Sequence, residues 1–498
     1  MRNKKIYIVL WLVWLSCISL THAQKNPIVL TLNRAIEVAS DSSLDAFRYK
    51  NLYQAYYWQH IAYKANRLPS LTLNTNPVQF YRDITKRYDY DQNIDVYREQ
   101  QTISSSMNLA IKQNFDLTGG TFFIDSELGY MYNFGDNKYS QFNTIPVRIG
   151  YEQSLIGYNA FRWEKKIEPL KYERAKKELI YNLEATSEKT TNYFFELAMC
   201  QAEFDLAKKN LVTTDTLYRI GVERHKIAAI SQADLLTLEL DKINAQNTFQ
   251  NAEIALRRAM FSLASFLGYD KNSQLKLVIP GKPTAVDLSV EKALQLAREN
   301  NPKFLQMKES QLEAERDVDK ARKESMFNAR VNASIGLNQV ADNFSKAYRD
   351  LLQQEIVGVN ISIPLVDWGV RKGRHNMAKN NLNVLKISNK QEELQLEEDL
   401  IMTVGDFNIQ QKMIQSAENA LDIATLAYDA TKRRFLIGKA DVSSLTLAQK
   451  REQEAQQNYI RSLKNYWVSF FKIRKLTLFD FETGISLSRN FDYKIGLE

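Results

Sequence analysis

This sequence holds little that would stop a helix, and less that would crosslink or catalyse. Its 498 residues include only 17 glycines and 9 prolines, a scarcity that favours long uninterrupted helices. Of two cysteines, Cys17 falls in a segment predicted to be removed, so the mature chain keeps Cys200 alone. No intrachain disulfide is then possible even in an oxidising compartment, and stability has to come from packing or assembly. After residues 6–20 no apolar run reaches the about 20 residues of a spanning helix. An exported chain without such a helix is either soluble or a β-barrel. The mature histidines, His60, His225 and His375, are dispersed over predicted helices and a helix tip. No paired His, Cys or carboxylate stands at metal-ligand spacing, and no Gly-rich loop leads from a strand into a helix. Gly119-Gly120 reads as a hairpin turn, since glycine supplies the positive φ such turns need. No catalytic residue, metal or cofactor is expected, and the chain is not read as an enzyme.

A strong excess of one charge is also missing. The formal net charge is +8, and losing Arg2, Lys4 and Lys5 with the leader lowers it to +5. The charges are interspersed, which argues against nucleic acid as a partner, because that needs a concentrated basic face.

What is present begins with a secretory signal over 1–23. Arg2, Lys4 and Lys5 form the basic start, residues 6–20 the apolar stretch, and Thr21-His-Ala23 the small-residue end, so the mature chain is expected to start at Gln24. The apolar stretch is short for an anchor. Trp14-Leu-Ser16 before Cys17 is a poor match for lipoprotein processing.

The rest of the chain repeats itself. At an offset of 258, Leu32-Asn-Arg-Ala-Ile-Glu-Val-Ala39 falls on Val290-Glu-Lys-Ala-Leu-Gln-Leu-Ala297. At an offset of 210, Arg224-His-Lys-Ile-Ala-Ala-Ile-Ser231 falls on Arg434-Phe-Leu-Ile-Gly-Lys-Ala-Asp441. The first half therefore holds 48 extra residues between the matched blocks, the difference between the two offsets. A period this long does not suit a solenoid and points to one tandem duplication. The expected domains are a first repeat over 24–268, a linker over 269–288, a second repeat over 289–478 and a tail over 479–498.

Long helices are predicted from Ala160 to about Ile220 and from Gln232 to Leu267. In the second, Leu235, Leu238, Ala245, Phe249, Ala252, Leu256, Ala259, Leu263 and Phe266 keep a 3-4 spacing, the pattern of a coiled coil. A looser equivalent runs over 442–476. Between helices the period changes to two. Ala329, Val331, Ala333, Ile335 and Leu337 alternate with polar residues, as do Val357, Val359, Ile361 and Ile363, and in the first half Ile145, Val147, Ile149 and Tyr151. Strands of about ten residues, apolar on one face, suit a transmembrane barrel wall. Strands are expected at 70–75, 144–155, 326–338 and 355–365, with a candidate hairpin of 106–115 and 121–134. Four to six strands are fewer than the roughly eight of the smallest membrane barrels, so several chains must share one. The Asp/Tyr-rich stretch 80–100 is expected to lie at the cell surface.

With these motifs the chain resembles the TolC-like outer-membrane factor family over essentially its whole mature length. The resemblance rests on paired motifs in one order. The opening helix with Leu68-Pro-Ser-Leu-Thr-Leu73 is repeated from Val290. The corner Ile361-Ser-Ile-Pro-Leu-Val-Asp-Trp-Gly369 is echoed by Gly150-Tyr-Glu-Gln-Ser-Leu-Ile-Gly157. The tip Phe435-Leu-Ile-Gly-Lys-Ala-Asp-Val442 is echoed from His225. The implied fold is an α+β membrane protein, a homotrimer whose β-barrel in the outer membrane of a Gram-negative bacterium continues as a long periplasmic α-helical coiled-coil barrel. The barrel would have 12 strands, or 18 if the hairpin enters the wall. The implied function is the passive exit duct of a tripartite efflux or type I secretion system. Its partners would be a periplasmic adaptor, an inner-membrane pump and outer-membrane lipid.

The adaptor would dock on the tips at Ile227, Ala228 and Ala229 and at Ile437, Gly438 and Lys439. The resemblance also implies a periplasmic gate. Asp234 matches the family's first-half acid, whereas the second half has Ser444 where an acid is usual, with Asp441 one turn away. Ser231-Gln-Ala-Asp234 and Asp441-Val-Ser-Ser444 equally fit ordinary helix caps, and both readings stay open. A periplasmic coiled-coil structural or adaptor protein is the alternative function; it leaves the amphipathic strands unexplained.

Overall fold

A computed structural model describes residues 27–134, 138–228, 230–270, 273–283, 286, 288–437, 439–440 and 442–490. The expected signal peptide at 1–23 lies outside the described residues.

The first half runs β1 (Ile28–Thr31), α1 (Leu32–Ser42), α2 (Leu44–Ala65), β2 (Ser70–Asp89), β3 (Ile94–Asn114), β4 (Thr121–Asn133), β5 (Tyr139–Ser154), α3 (Ala160–Lys226) and α4 (Gln232–Leu267). After β6 (Leu275–Val278) the second half runs α5 (Val290–Asn300), α6 (Pro302–Glu324), β7 (Asn328–Ala341), β8 (Leu352–Ser362), α7 (Val370–Leu436) and α8 (Val442–Thr477). The chain ends in the two-residue strands β9 (Phe479–Asp480) and β10 (Ile485–Ser486). Helices α3 and α7 are each 67 residues long, and α4 and α8 each 36. All four bounds of the second pair stand 210 residues after those of the first.

The chain divides into two compact units. One holds residues 52–178 and 302–396 and is built on a single antiparallel sheet of order β2-β3-β4-β5-β7-β8. The candidate hairpin is inside this sheet, so the chain contributes six strands rather than four. Several expected bounds change. The strand expected at 70–75 extends to Asp89 and pairs with β3 up to Asp89↔Ile94. The stretch 80–100, to which no strand is assigned from sequence, is therefore a β-ribbon with a tight turn. Its charges, which disguise the period of two, pair across the ribbon as Arg82–Glu99 and as Lys86–Asp95 at 2.7 Å. In the other direction β8 ends at Ser362, before Pro364, which has no N–H to give a ladder. Helix segments of this unit are joined by polar contacts. Arg174 bonds Glu309 and Glu178 at 2.7 and 2.6 Å, and Trp163 Nε1 donates to Asp319 at 2.9 Å. His60 stacks on Tyr172 at 4.4 Å, and its burial lowers its pKa.

The other unit holds residues up to 51, 179–301 and 397 onward. Its core joins Phe194, Leu197, Leu263, Leu400, Phe407 and Tyr466 with Leu30 and Leu277. The last two lie on β1 and β6, which pair in parallel as Leu30↔Leu277. Along α4 the buried alanines Ala245, Ala252 and Ala259 recur every seventh residue, the seam expected from the 3-4 pattern. Phe204 packs on Phe249 and Tyr193 on Phe266, at 5.3 and 5.0 Å, so α3 and α4 form an antiparallel hairpin. Helix α3 continues beyond the expected Ile220 through Gly221. A Cβ there would stand 2.5 Å from Leu238 Cδ1, so the glycine lets α4 come close. Gly268, at φ 76°, ends α4 and lets the Tyr269 N–H reach the Ala264 carbonyl at 2.9 Å.

Candidate channel wall and helix tips

Side chains alternate between the faces of a strand, so residues paired across a ladder share one face. Following the register across all six strands links Leu71, Ile111, Ile124, Ile149, Ile335 and Glu355 in one row. The neighbouring row, on the opposite face, is Thr72, Ala110, Asp125, Arg148, Gly336 and Gln354. Apart from Glu355 on β8, this first row is apolar, and it is open: Leu71 is 65% and Ile335 52% exposed. The second is polar and ordered by hydrogen bonds. Arg148 grips Asp125 with Nε at 3.0 Å and Nη2 at 2.6 Å. Asn108 Nδ2 donates to the same carboxylate at 2.9 Å, and Glu127 stands 3.9 Å from the guanidinium. Sequence reasoning missed this pair: the period of two from Ile145 to Tyr151 places Arg148 on the polar face, but Phe122-Phe-Ile124 ahead of Asp125 does not alternate.

At the strand-to-helix corners the chain must stop a ladder and start a helix. Asn159 Oδ1 accepts from Arg162 N at 3.1 Å ahead of α3. Asp367 accepts from the N–H groups of Gly369 and Arg371 at 3.0 and 3.1 Å ahead of α7. Those backbone donors hold the Asp367 carboxyl below its ordinary pKa. Trp368 and Gly369 adopt φ of 54° and 89°, and the Trp368 side chain is exposed.

At the first tip Ile227 is 76% exposed. Ala228 is exposed with φ 55°, and its N–H donates to the His225 carbonyl at 2.9 Å. Ala229 lies outside the described residues. His225 Nδ1 is 3.2 Å from the Ile230 carbonyl. Ser231 then caps α4 with a full capping box: its Oγ accepts from Asp234 N at 3.1 Å, while its own N–H and hydroxyl donate to Asp234 Oδ2 at 3.1 and 2.7 Å. Those bonds hold the Asp234 carboxyl below its ordinary pKa. At the second tip Ile437 is exposed, and the Lys439 N–H closes on the Arg434 carbonyl at 2.8 Å, as where helices terminate. Gly438 and Asp441 lie outside the described residues.

Of the candidate gate residues within the described residues, Asp234 and Ser444 line different grooves. Asp234 lines a groove of about 610 Å³ with Arg224, Asp241, Phe435 and Lys450. Ser444 lines another, of about 1030 Å³, with Arg434, Lys439 and Arg451 over a floor of Ala424, Ala427 and Ala448. The basic rim of the larger groove was not anticipated, though each base stands within a few turns of the tip in sequence.

Comparison with known proteins agrees with this geometry. Residues 293–477, which end with α8, match the family model described as outer membrane efflux protein. No curated protein matches the chain. Among solved structures it is similar to the Campylobacter jejuni CmeC outer membrane channel, with a TM-score of 0.65 at 14% identity over 93% of this chain and 88% of that one. The outer membrane protein VceC of Vibrio cholerae aligns at TM-score 0.58 and 14% identity, over 90% and 95% of the two chains. The Neisseria gonorrhoeae MtrE outer membrane channel in its open state aligns at 0.57 and 13%, over 90% and 88%. The likeness to TolC-like outer-membrane factors is thus borne out: residues 293–477 match the outer membrane efflux protein model, and nine-tenths of the chain shares the fold of these outer-membrane proteins.

Proposed function

We propose that this chain is the outer-membrane exit duct of a tripartite efflux or type I secretion system. The observation that carries this reading is the pair of register rows, one apolar and open, the next polar and bonded. That is the demand a bilayer on one side and a wet lumen on the other place on a barrel wall. Six strands do not close such a barrel, so three copies sharing an eighteen-strand wall are the natural assembly. The identical lengths of the two helix pairs support one tandem duplication, with repeats over 24–268 and 289–478 around a 269–288 linker and a 479–498 tail. Export then requires the 1–23 signal and places the helical hairpins in the periplasm of a Gram-negative cell.

A duct with no energy source of its own depends on an adaptor and an inner-membrane pump. The docking surface is assigned to Ile227, Ala228 and Ala229 with Ile437, Gly438 and Lys439. Asp234, Asp441 and Ser444 stand by sequence at the same entrance. Two experiments test this. Cell fractionation followed by native mass spectrometry in detergent is expected to give an outer-membrane trimer, and a soluble periplasmic monomer overturns the reading. Gly438→Val is expected to lower export while leaving the oligomer intact; unchanged export removes the tip from the docking surface.

A further inference from the structure

The polar face of the sheet is balanced in charge, and one partly buried pair holds the balance. Following the registers, the bases it carries within rows shared by three or more strands are Lys112, Arg148 and Arg330, and the acids are Asp125, Glu127 and Glu152. The remainder is mostly small or neutral polar: Thr72, Asn74, Asn108, Ser106, Asn332, Ser334, Asn360 and Gln354 share the face. Arg148 is central to it. Both of its bonds to Asp125 run toward β4, and Asp125 is only 6% exposed. On the other side its ladder partner is Gly336, where a Cβ would already lie 3.0 Å from Arg148 Cα and Cβ. That glycine admits no side chain there, so the guanidinium has its counter-charges on one side only.

We propose that Arg148 sets the ion selectivity of the membrane-embedded mouth: clamped by Asp125 and approached by Glu127, it keeps a wall of amides and hydroxyls near zero net charge, so the mouth admits solutes of either sign. The proposal rests on the duct reading. A narrow lumen with low-dielectric walls focuses the field of any uncompensated charge, and each protomer of an oligomer contributes one copy. The cargo suited to such a mouth is polar and of mixed or no net charge, handled by hydrogen bonding rather than attracted by field.

The test is the reversal potential of the purified full-length oligomer in planar bilayers under a potassium chloride gradient. Arg148→Gln is expected to shift it toward cation selectivity. Glu127→Gln, which leaves the Arg148–Asp125 pair whole, is expected to shift it toward anion selectivity. Asp125→Asn with Arg148→Gln is expected to return it close to that of the unmodified protein. Because Arg148→Gln alone leaves a buried carboxylate without its cation and can fail to insert, Glu127→Gln and the double variant decide. A reversal potential unmoved by Glu127→Gln overturns the proposal while the duct stands. An unmodified protein that inserts as an oligomer and conducts nothing overturns the duct reading instead.

Discussion

In the first helical hairpin Thr190, Phe194, Leu197 and Leu263 are buried to 0% exposure; 210 residues later stand Leu400, Val404, Phe407 and Ile473, exposed by no more than 2%. The positions that face inward are the same, and the side chains that fill them are not. In α3 the seam includes hydroxyls that bond their own helix. Thr190 and Thr191 donate to the carbonyls of Thr186 and Ser187 at 2.7 and 2.8 Å. In α7 and α8 it is aromatic, with Phe407, Tyr466 and Phe470 packed at 5.0 to 6.3 Å. Burial raises the Tyr466 phenol to a pKa of about 12. Helix length and seam position thus survive a change of side chain at every one of these matched positions, because heptad geometry fixes which positions meet and apolar volume decides what fits.

The strongest way to break that equivalence is at Arg474. It bonds Glu184 at 3.0 and 3.1 Å and Asp480 at 3.3 Å, whereas the matching residue of the first hairpin is the buried Ala264. Arg474→Met removes the cation these partly buried carboxylates share. The expected loss is about 3–5 kcal/mol, read as a lower guanidinium midpoint of the detergent-solubilised protein. An unchanged midpoint means that the network carries no stability.

Next in size are the paired seam positions. Leu197→Ala opens a cavity expected to cost about 2–5 kcal/mol. Phe407→Leu, which places the first hairpin's residue in the second, is expected to cost less than Leu197→Ala, since only part of the side chain is lost. If the two costs are reversed, the aromatic seam of the second hairpin anchors the unit and the equivalence is only geometric.

These contrasts also mark what the sequence made legible. The 3-4 spacing from Leu235 to Phe266 gave α4 to the residue, because few other folds bury that pattern. The expected strand stops at Thr75 because beyond it the charges fall on both faces, in Arg82-Asp83 and Lys86-Arg87, and Arg82 and Lys86 find their partners only across the ribbon, in Glu99 and Asp95. Cross-strand pairing is invisible to a reading along one strand. The Arg148–Asp125 pair was missed for the same reason, as its two residues lie on different strands. At the tip the capping spacing of Ser231 and Asp234 was legible because capping is local; the basic rim of Arg434, Lys439 and Arg451 was not, because it is assembled from two helices and the turn between them.

A smaller effect compares the tips. Ser231 supplies the first hairpin with both halves of its cap contact. Ser231→Ala is expected to cost about 1 kcal/mol and to raise amide hydrogen exchange over the first turn of α4 while leaving the start of α8 unchanged. Equal changes at both helix starts would mean that the tips unfold together.

The smallest expected effect belongs to Asp234, and it separates a cap from a gate. Its carboxyl is held below the ordinary value by the Ser231 hydroxyl and N–H. A folded pKa below the unfolded one, about 3.9, gives stabilisation that is complete above the unfolded value and is lost as pH falls through the folded value. The first turn of α4 should therefore loosen in acid, and Asp234→Asn should remove that acid dependence, with first-turn exchange slightly raised at neutral pH and matching the unmodified protein in acid. The capping bonds are satisfied within one hairpin and need no ring of neighbouring carboxylates. Conductance, cation selectivity and block by multivalent cations are accordingly expected to be the same in Asp234→Asn as in the unmodified channel. Carboxylates from several protomers crowded at a constriction would instead concentrate cations there. A variant with reduced cation selectivity and lost block would place Asp234 in that constriction, and the two hairpins would then differ in function as well as in packing.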